Sequence, residues 1–115
     1  MSTFQRKAVP TVTVQGLGEL GNPIYLDVRD PHEWDAGHAP DAWFWPLAKL
    51  EGVRAELPFG TTIVCVCRSG QRSANATELL RTWGLEALNL EGGMQAWAAA
   101  GRPVERDDGS PGTVA

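Results

Sequence analysis

Cysteine is scarce in this sequence. The 115 residues contain two cysteines, Cys65 and Cys67, and a single residue separates them. Cysteines so close together cannot cross-link distant parts of a small secreted domain, so the sequence favours reduced thiols in a reducing compartment. The expected localisation is therefore cytoplasmic.

Long apolar runs and clusters of positive charge are also absent. No stretch approaches the ~20 apolar residues that a membrane-spanning helix needs, and residues 1–10, MSTFQRKAVP, lack the apolar core of a signal peptide. The net charge is -4, and the basic residues form no run that would bind a phosphate backbone. Neither a membrane nor a nucleic acid is an expected partner.

Chain length and composition predict one domain. A hydrophobic content of 43% in 115 residues is enough to bury a single core, which we expect to occupy residues 8–105. Residues 106–115 are polar and rich in glycine and proline, so they are predicted to form a flexible, disordered tail.

Short apolar runs alternate with segments of helical periodicity. The runs are too short for helices, and they predict strands at residues 11–14, 24–28, 62–67 and 87–90. Helical spacing of apolar residues predicts helices at residues 47–57, 76–83 and 94–100, and a capping box with proline predicts one at residues 30–37. This alternation, with a strand at 63–66 that is apolar on both faces, predicts a parallel sheet with helices on both sides.

The stretch CRSGQRS at residues 67–73 directly follows that apolar strand. Ligands of such folds bind beyond the carboxyl ends of the strands, where the loop amides and the next helix can form an anion-binding nest. Gly70 permits the tight curvature, and Arg68 and Arg72 favour an anion. Cys67 is therefore predicted to have a pKa below that of free cysteine and to act as a nucleophile. The alternative, a buried structural cysteine, fits poorly beside two charges and a glycine.

Other candidate residues are interpreted as structural. Cys65 lies on the strand and reads as a core residue. A zinc site made of Cys65, Cys67, His32 and His38 would match no common ligand spacing, so no metal is predicted.

The residues after the first long strand are also candidates for supporting roles. Asp27 is expected to order the neighbouring loop with Arg29 as its partner, although direct substrate contact stays open for both. His38 is expected to fix a turn through hydrogen bonds rather than to act as a base. Trp43 and Trp45 would lie on one side of an extended segment, so one of them could line the site.

Three blocks of the sequence match a known family. They are LDVRDPHEWDAGHAPDA at 26–42, VCRSGQRSA at 66–74 and NLEGGMQAWAAAGRPV at 89–104. With these blocks the chain resembles a single-domain rhodanese, a sulfurtransferase module.

The resemblance implies a five-stranded, mostly parallel α/β sheet and a catalytic Cys67 that carries a persulfide. It implies that the loop binds the substrate anion through the residues that follow the cysteine, namely Arg68, Ser69, Gly70, Gln71 and Arg72. The DVR and GH elements of the family map onto Asp27, Arg29, Gly37 and His38. The chain departs from the family pattern at Ala39 and Asp41, and its segment Trp43-Phe44-Trp45 is unusually aromatic.

The expected activity is transfer of a sulfane sulfur from a small anionic donor such as thiosulfate to a thiol or cyanide acceptor, with no cofactor. One alternative is a sulfur-relay carrier with a protein donor or acceptor. Another is an arsenate reductase or phosphatase, but those enzymes use the spacing C-x5-R, whereas Cys67 and Arg72 have the spacing C-x4-R. A third is a non-catalytic module of the same fold, which would usually lack the loop cysteine.

Overall fold

Five strands form one sheet in the computed structural model, which describes residues 9–115. Residue 8, the predicted start of the domain, lies outside the described residues. The strands are β1 (Thr11–Val12), β2 (Ile24–Asp27), β3 (Trp43–Phe44), β4 (Ile63–Val66) and β5 (Ala87–Leu90). Their spatial order is β1-β5-β4-β2-β3, and each neighbouring pair is parallel. The predicted α/β fold with a parallel sheet is confirmed.

Residues 9–115 also form three α-helices and two 3₁₀ helices, of which all but the last α-helix connect consecutive strands. The α-helices are α1 (Pro31–Ala36), α2 (Gln71–Thr82) and α3 (Gly93–Ala99), and the 3₁₀ helices are Val14–Leu20 and Leu47–Glu56. The predicted capping box of α1 is present, with the Asp30 amide donating to the Glu33 carboxylate at 3.0 Å. No helix within residues 9–115 is both long enough and apolar enough to cross a membrane.

The helix predicted for residues 47–57 differs from the structure. This segment is a 3₁₀ helix interrupted at Lys49, whose φ of -116° is non-helical. The spacing of its leucines and valine still places Leu50 and Val53 in the core. Apolar spacing alone does not separate a regular α-helix from shorter, tighter turns that bury the same positions.

The core lies on both faces of the sheet, because β4 at its centre is buried along its whole length. On one face α2 packs over Cys65 and Leu26 through residues such as Leu80. On the other face α3 packs over Val64, Leu90 and their neighbours. Each fully buried aliphatic side chain contributes roughly 1.5–3 kcal/mol, so this two-sided burial fixes the strand that leads into Cys67.

The edge strand β3 has no counterpart among the sequence predictions. It is two residues long and pairs with the last two residues of β2. Asp41, just before it, has a left-handed φ of 62°. This is a position where the resemblance leads one to expect glycine, and aspartate is among the residues that tolerate such a backbone.

The C-terminal segment, residues 106–115, differs from the disordered tail that its composition predicts. Glu105 forms β-bridges with His38 and with Pro111, and the Thr113 amide donates to the Ala36 carbonyl at 2.9 Å. Val114 packs against the core beside α3. Composition counts polar residues but does not reveal the specific partners that hold them, and these partners lie around the end of α1.

The close approach of this segment depends on a missing side chain. A Cβ atom on Gly37 would lie 2.7 Å from both the amide nitrogen and the carbonyl oxygen of Thr113. Only glycine leaves room for that backbone. Gly37 of the GH element therefore permits the C-terminal segment to pack against α1.

Candidate active site

Cys67 lies at the carboxyl end of the central strand, directly after β4. Cys67 is only 1% exposed. The following loop turns sharply at Gly70, whose φ of 112° is in the range that favours glycine, and α2 begins at the next residue. The thiol is thus held where the strand ends and the helix begins, which is the ligand-binding edge of this fold class.

The donors around the Cys67 sulfur include the Gly70 amide and the Ser73 hydroxyl. The Gly70 amide donates to it at 3.1 Å, and the Ser73 hydroxyl oxygen lies 3.2 Å away. Burial by itself would raise the pKa of Cys67. The hydrogen bonds from the Ser73 hydroxyl and from the amides of Ser73, Gly70 and Ser69 outweigh it and bring the pKa of the thiol below its ordinary value of 9.0.

The loop is held in this shape by the start of α3. The Met94 amide donates to the Cys67 carbonyl at 2.8 Å, and the Gln95 amide donates to the Arg68 carbonyl at 3.0 Å. These bonds draw the first two loop carbonyls toward α3. Gly93 lies so close that a Cβ atom there would overlap the Cys67 carbonyl oxygen.

Behind the sulfur, four groups form a closed hydrogen-bonded ring. The Ser73 hydroxyl oxygen lies 2.6 Å from the Asn89 side-chain oxygen, and the Asn89 side-chain nitrogen donates to the Gly70 carbonyl at 3.1 Å. The ring closes through the two contacts of Gly70 and Ser73 with the Cys67 sulfur. Ser73 is fully buried and Asn89 is 8% exposed, so water has little access to these groups.

Arg72, the last residue of the loop, is engaged by a carboxylate. Its two terminal nitrogens donate to the two oxygens of Glu33 at 2.7 and 2.8 Å. This bond and burial act in opposite directions on Glu33, and the bond to Arg72 prevails, lowering the pKa of Glu33 to about 2. Arg72 thereby ties the loop to α1, and its predicted contact with substrate stays a prediction.

The remaining loop residues are more accessible. Arg68, Ser69 and Gln71 are exposed. The Arg68 guanidinium donates to the Ala115 carbonyl at 2.9 Å, and the side-chain oxygen of Gln95 can accept from it at 2.8 Å. The cation of Arg68 therefore lies at the rim between the loop and the C-terminal segment.

Asp27 and Arg29 form a buried ion pair at the end of β2. The Arg29 guanidinium donates to both Asp27 oxygens, with its shortest contact at 2.7 Å, and to the Gly37 carbonyl at 2.8 Å. The pair is almost fully enclosed, so it braces the turn that leads into and out of α1. Direct substrate contact by either residue stays a prediction.

His38 is held on three sides. One ring nitrogen lies 2.8 Å from the Asp107 carboxylate, and the other lies 3.1 Å from the Ala39 carbonyl. The ring stacks on Trp34 with centroids 3.5 Å apart, and the Trp34 indole also donates to Asp107. These contacts join His38 to the C-terminal segment.

The two tryptophans of the aromatic segment differ in exposure. Trp43 is 37% exposed at the edge of the sheet, whereas Trp45 packs against the core beside the second 3₁₀ helix. Trp43 is therefore the more accessible of the two. A place for it in the wall of the site stays a prediction.

Cys65 has a different environment from Cys67. It is fully buried on β4, and burial, which outweighs a hydrogen bond with Thr77, raises the pKa of its thiol to about 12. Within residues 9–115 no group of three or more histidine, cysteine or acidic side chains is arranged to hold a metal ion.

Three residues of the site were not among the sequence predictions for it: Glu33, Ser73 and Asn89. Asn89 could have been found from the sequence, because a polar residue inside the short apolar strand ALNL needs a hydrogen-bond partner. The sequence predicts Glu33 only as part of a helix cap, and that role does not reveal its second partner. Ser73 follows the loop directly, but sequence alone does not show that its side chain turns back toward the sulfur.

Comparison with known proteins places this geometry in a family. The family model described as Rhodanese-like domain matches residues 13–100. A protein of Allochromatium vinosum named "Sulfurtransferase" is 35% identical over 96 residues, which is 83% of this chain and 90% of that protein. An uncharacterised Synechocystis protein is 36% identical over 111 residues, which is 96% of this chain. The chain spans 62% of the length of that relative.

A solved structure agrees with these relatives. The rhodanese-related protein of Thermoplasma volcanium superposes with a TM-score of 0.77 at 31% identity, covering 83% of this chain and 96% of that one. The matched region includes the strand, the loop and the helices that enclose Cys67. The chain belongs to the family of rhodanese-like domains.

Proposed function

We propose that this protein is a sulfurtransferase that moves a sulfane sulfur from a small anionic donor such as thiosulfate to a thiol or cyanide acceptor through a persulfide on Cys67. The observation that carries the proposal is the environment of the Cys67 sulfur, which accepts from the Gly70 amide at 3.1 Å and lies 3.2 Å from the Ser73 hydroxyl. These groups favour the thiolate, which is the nucleophilic form. The relative named "Sulfurtransferase" supports the reaction class.

In the first half-reaction the Cys67 thiolate attacks the outer sulfur of thiosulfate. A new sulfur–sulfur bond forms between Cys67 and that outer sulfur, the original sulfur–sulfur bond of thiosulfate breaks, and its electron pair leaves with sulfite. Sulfite is a stable anion, so its departure needs no general acid. The sequence predicts no general base at the site, and this chemistry does not need one.

In the second half-reaction the acceptor attacks the outer sulfur of the persulfide. The electron pair of the persulfide bond returns to Cys67 as a thiolate, and the acceptor leaves as a persulfide or as thiocyanate. Sulfite leaves before the acceptor reacts, and Cys67 alternates between the thiolate and the persulfide, so the kinetics should be ping-pong. No cofactor is required.

The loop contributes positive potential rather than a proton. Arg68 is exposed at the rim and can raise the local concentration of an anionic donor. Arg72 contributes through its position, since its paired guanidinium holds the loop and still carries a favourable interaction with the Cys67 anion. Loop amides would hold the outer sulfur and the oxygens of the donor.

The rival phosphatase or arsenate reductase chemistry is disfavoured by loop length. Phosphate and arsenate need amides around a tetrahedral centre with room for three equatorial oxygens. Four residues separate Cys67 from Arg72, one fewer than the phosphatase spacing. A sulfur attached to the Cys67 sulfur is narrow and suits the smaller loop.

Intact-protein mass spectrometry tests the proposal. Exposure to thiosulfate should add the mass of one sulfur atom to the wild type, and cyanide should remove it. Exposure to a protein that carries a persulfide, run in parallel, distinguishes a relay carrier from an enzyme that uses thiosulfate. Turnover of an aryl phosphate without any sulfur adduct would contradict the sulfurtransferase assignment.

A further inference from the structure

The hydroxyl of Ser73 has one proton and two acceptors within reach. The Asn89 side-chain oxygen is 2.6 Å from the hydroxyl oxygen, and the Cys67 sulfur is 3.2 Å from it. A hydroxyl donates one hydrogen bond at a time. The two acceptors therefore compete for the Ser73 proton.

The orientation of Asn89 is fixed by its other partner. The Gly70 carbonyl can only accept, so the NH₂ group of Asn89 must face it, as the 3.1 Å contact requires. The Asn89 oxygen then faces Ser73 and has no proton of its own to offer. The hydrogen bond between these side chains can therefore form only if the Ser73 hydroxyl donates it.

The protonation state of Cys67 determines whether Cys67, Ser73 and Asn89 can all have hydrogen-bond partners at the same time. While Cys67 is a thiol, its S–H can donate to the Ser73 oxygen and the Ser73 proton can go to Asn89, so each group has a partner. Once Cys67 is a thiolate, it gains the Ser73 proton only by taking it from Asn89. The buried Asn89 oxygen is then left without that donor, which carries a free-energy cost.

We infer that Asn89 is a positioning residue that sets the balance between thiol and thiolate at Cys67 by competing for the Ser73 proton. It favours the neutral thiol in the resting protein, whereas the Gly70 amide and the freed Ser73 hydroxyl favour the anion. The inference rests on the proposed function and deepens it, because Cys67 is the nucleophile of that reaction.

A purely structural role of Asn89 would have the opposite effect on the thiol. If Asn89 served only to hold the Gly70 carbonyl, its removal would loosen the loop, weaken the Gly70 donor and favour the thiol. The Gly70 carbonyl also accepts from the Ala74 amide at 3.2 Å, so it keeps one partner when Asn89 is replaced. The direction of the change therefore separates the two roles.

The test is the pH dependence of Cys67 alkylation by iodoacetamide, with no sulfur donor present. In Asn89→Leu, which has a similar size but no polar group, the midpoint of the profile should move to lower pH. The thiolate fraction well below the midpoint should rise by about tenfold for each unit that the midpoint falls. In Ser73→Ala the midpoint should move to higher pH, and adding Asn89→Leu to Ser73→Ala should produce no downward movement.

Thr77→Val provides the matched control. Thr77 is also fully buried on α2 and donates to the Ser73 carbonyl at 2.8 Å, but it does not compete for the Ser73 hydroxyl proton. Its replacement should leave the midpoint near that of the wild type. If Asn89→Leu does not fold, Asn89→Ala can replace it in both backgrounds.

NMR of the wild type gives a measurement that needs no folded Asn89 variant. The side-chain carbonyl carbon of Asn89 should titrate together with Cys67 in the wild type, and it should not do so in Ser73→Ala. A midpoint that rises in the Asn89 variant, or falls equally with and without Ser73, would overturn the inference. Because alkylation uses no sulfur donor, the inference can fail while the persulfide chemistry stands, and the reverse also holds.

Discussion

Arg72 and Glu33 form a two-pronged ion pair that joins the active-site loop to helix α1, with contacts of 2.7 and 2.8 Å. Glu33 also accepts from the Asp30 amide at 3.0 Å, so the same carboxylate caps the helix and holds the loop. Glu33 is buried and Arg72 is partly exposed. The last cation of the loop is thus fixed by the protein before any substrate arrives.

This pair makes part of the stability depend on pH. The pKa of Glu33 in the folded protein is about 2, below its ordinary value of 4.5. Its contribution is therefore complete above pH 4.5 and is lost as the pH falls toward 2. At neutral pH, Glu33→Gln should lower the free energy of unfolding by on the order of 2 kcal/mol, a figure reduced to allow for the exposure of Arg72.

Chemical denaturation at several pH values measures this effect. The difference between wild type and Glu33→Gln should shrink as the pH is lowered from neutral toward about 3. Glu19→Gln, at an exposed position, serves as the control and should change stability little at any pH. A difference for Glu33→Gln that stays constant with pH would contradict the assignment.

The part of the site that the sequence predicts is the part encoded by local pattern. The apolar run of β4, the abrupt change at Cys67 and the glycine at position 70 are adjacent in the chain, so strand, turn and helix start follow from neighbouring residues. The capping box of α1 is local in the same sense. Such features need no knowledge of which distant segments meet.

The part that the sequence did not predict depends on distant contacts. Asn89 reaches Ser73 and Gly70 across sixteen and nineteen positions of the chain, and Asp107 reaches His38 across 69. Composition made residues 106–115 resemble a free tail, because polar residues without known partners look unable to pack. Tertiary contacts determine where Asn89 and residues 106–115 pack, and a single sequence does not reveal those contacts.

Cys67 and Cys65 should respond very differently to substitution. Cys67→Ser should reduce thiosulfate:cyanide sulfur transfer by more than about a hundredfold, because the attacking thiolate is lost. Cys65→Ser should leave most of the activity, since this residue is buried away from the proposed chemistry. The readout is the thiocyanate formation rate, with circular dichroism to verify folding. Activity that persists in Cys67→Ser would show that another residue is the nucleophile.

The two thiols should also differ in reactivity with pH. Hydrogen bonds lower the pKa of Cys67 below 9.0, whereas burial raises that of Cys65 to about 12. Alkylation at neutral pH should therefore modify Cys67 alone, and its rate should rise with pH through a midpoint below that of free cysteine. Peptide mapping after timed alkylation identifies the modified residue. Modification of Cys65 in the folded protein, or a Cys67 midpoint at or above the free value, would show that the environment has been misassigned.

Gly93 should be required for the shape of the loop. Its φ of 53° is left-handed and strains most other residues, and a Cβ atom would also overlap the Cys67 carbonyl oxygen and lie 2.8 Å from the Arg68 carbonyl. Gly93→Ala should therefore combine about 1–3 kcal/mol of steric overlap with about 1–2 kcal/mol of backbone strain, and it should greatly reduce persulfide formation. Gly101→Ala is the control, because Gly101 has a φ of 79° with open space around it. Its cost should come from the backbone alone, about 1–2 kcal/mol, and persulfide formation should persist.

Loop length should decide whether the site handles sulfur or phosphorus. Inserting one glycine between Gly70 and Gln71 changes the spacing from Cys67 to Arg72 to that of the phosphatases, and it widens the ring of amides around the sulfur. It also displaces the Gly70 amide that now donates to Cys67 at 3.1 Å.

We expect the insertion to reduce the mass gain of one sulfur after thiosulfate. It should also strengthen the inhibition of Cys67 alkylation by phosphate or arsenate, because the wider loop can surround a tetrahedral anion. An insertion between Gly60 and Thr61, in an open turn at the opposite end of β4 from Cys67, controls for general destabilisation and should alter neither readout. If the loop insertion leaves persulfide formation intact and gains no protection by oxyanions, then loop length is not what separates the two chemistries.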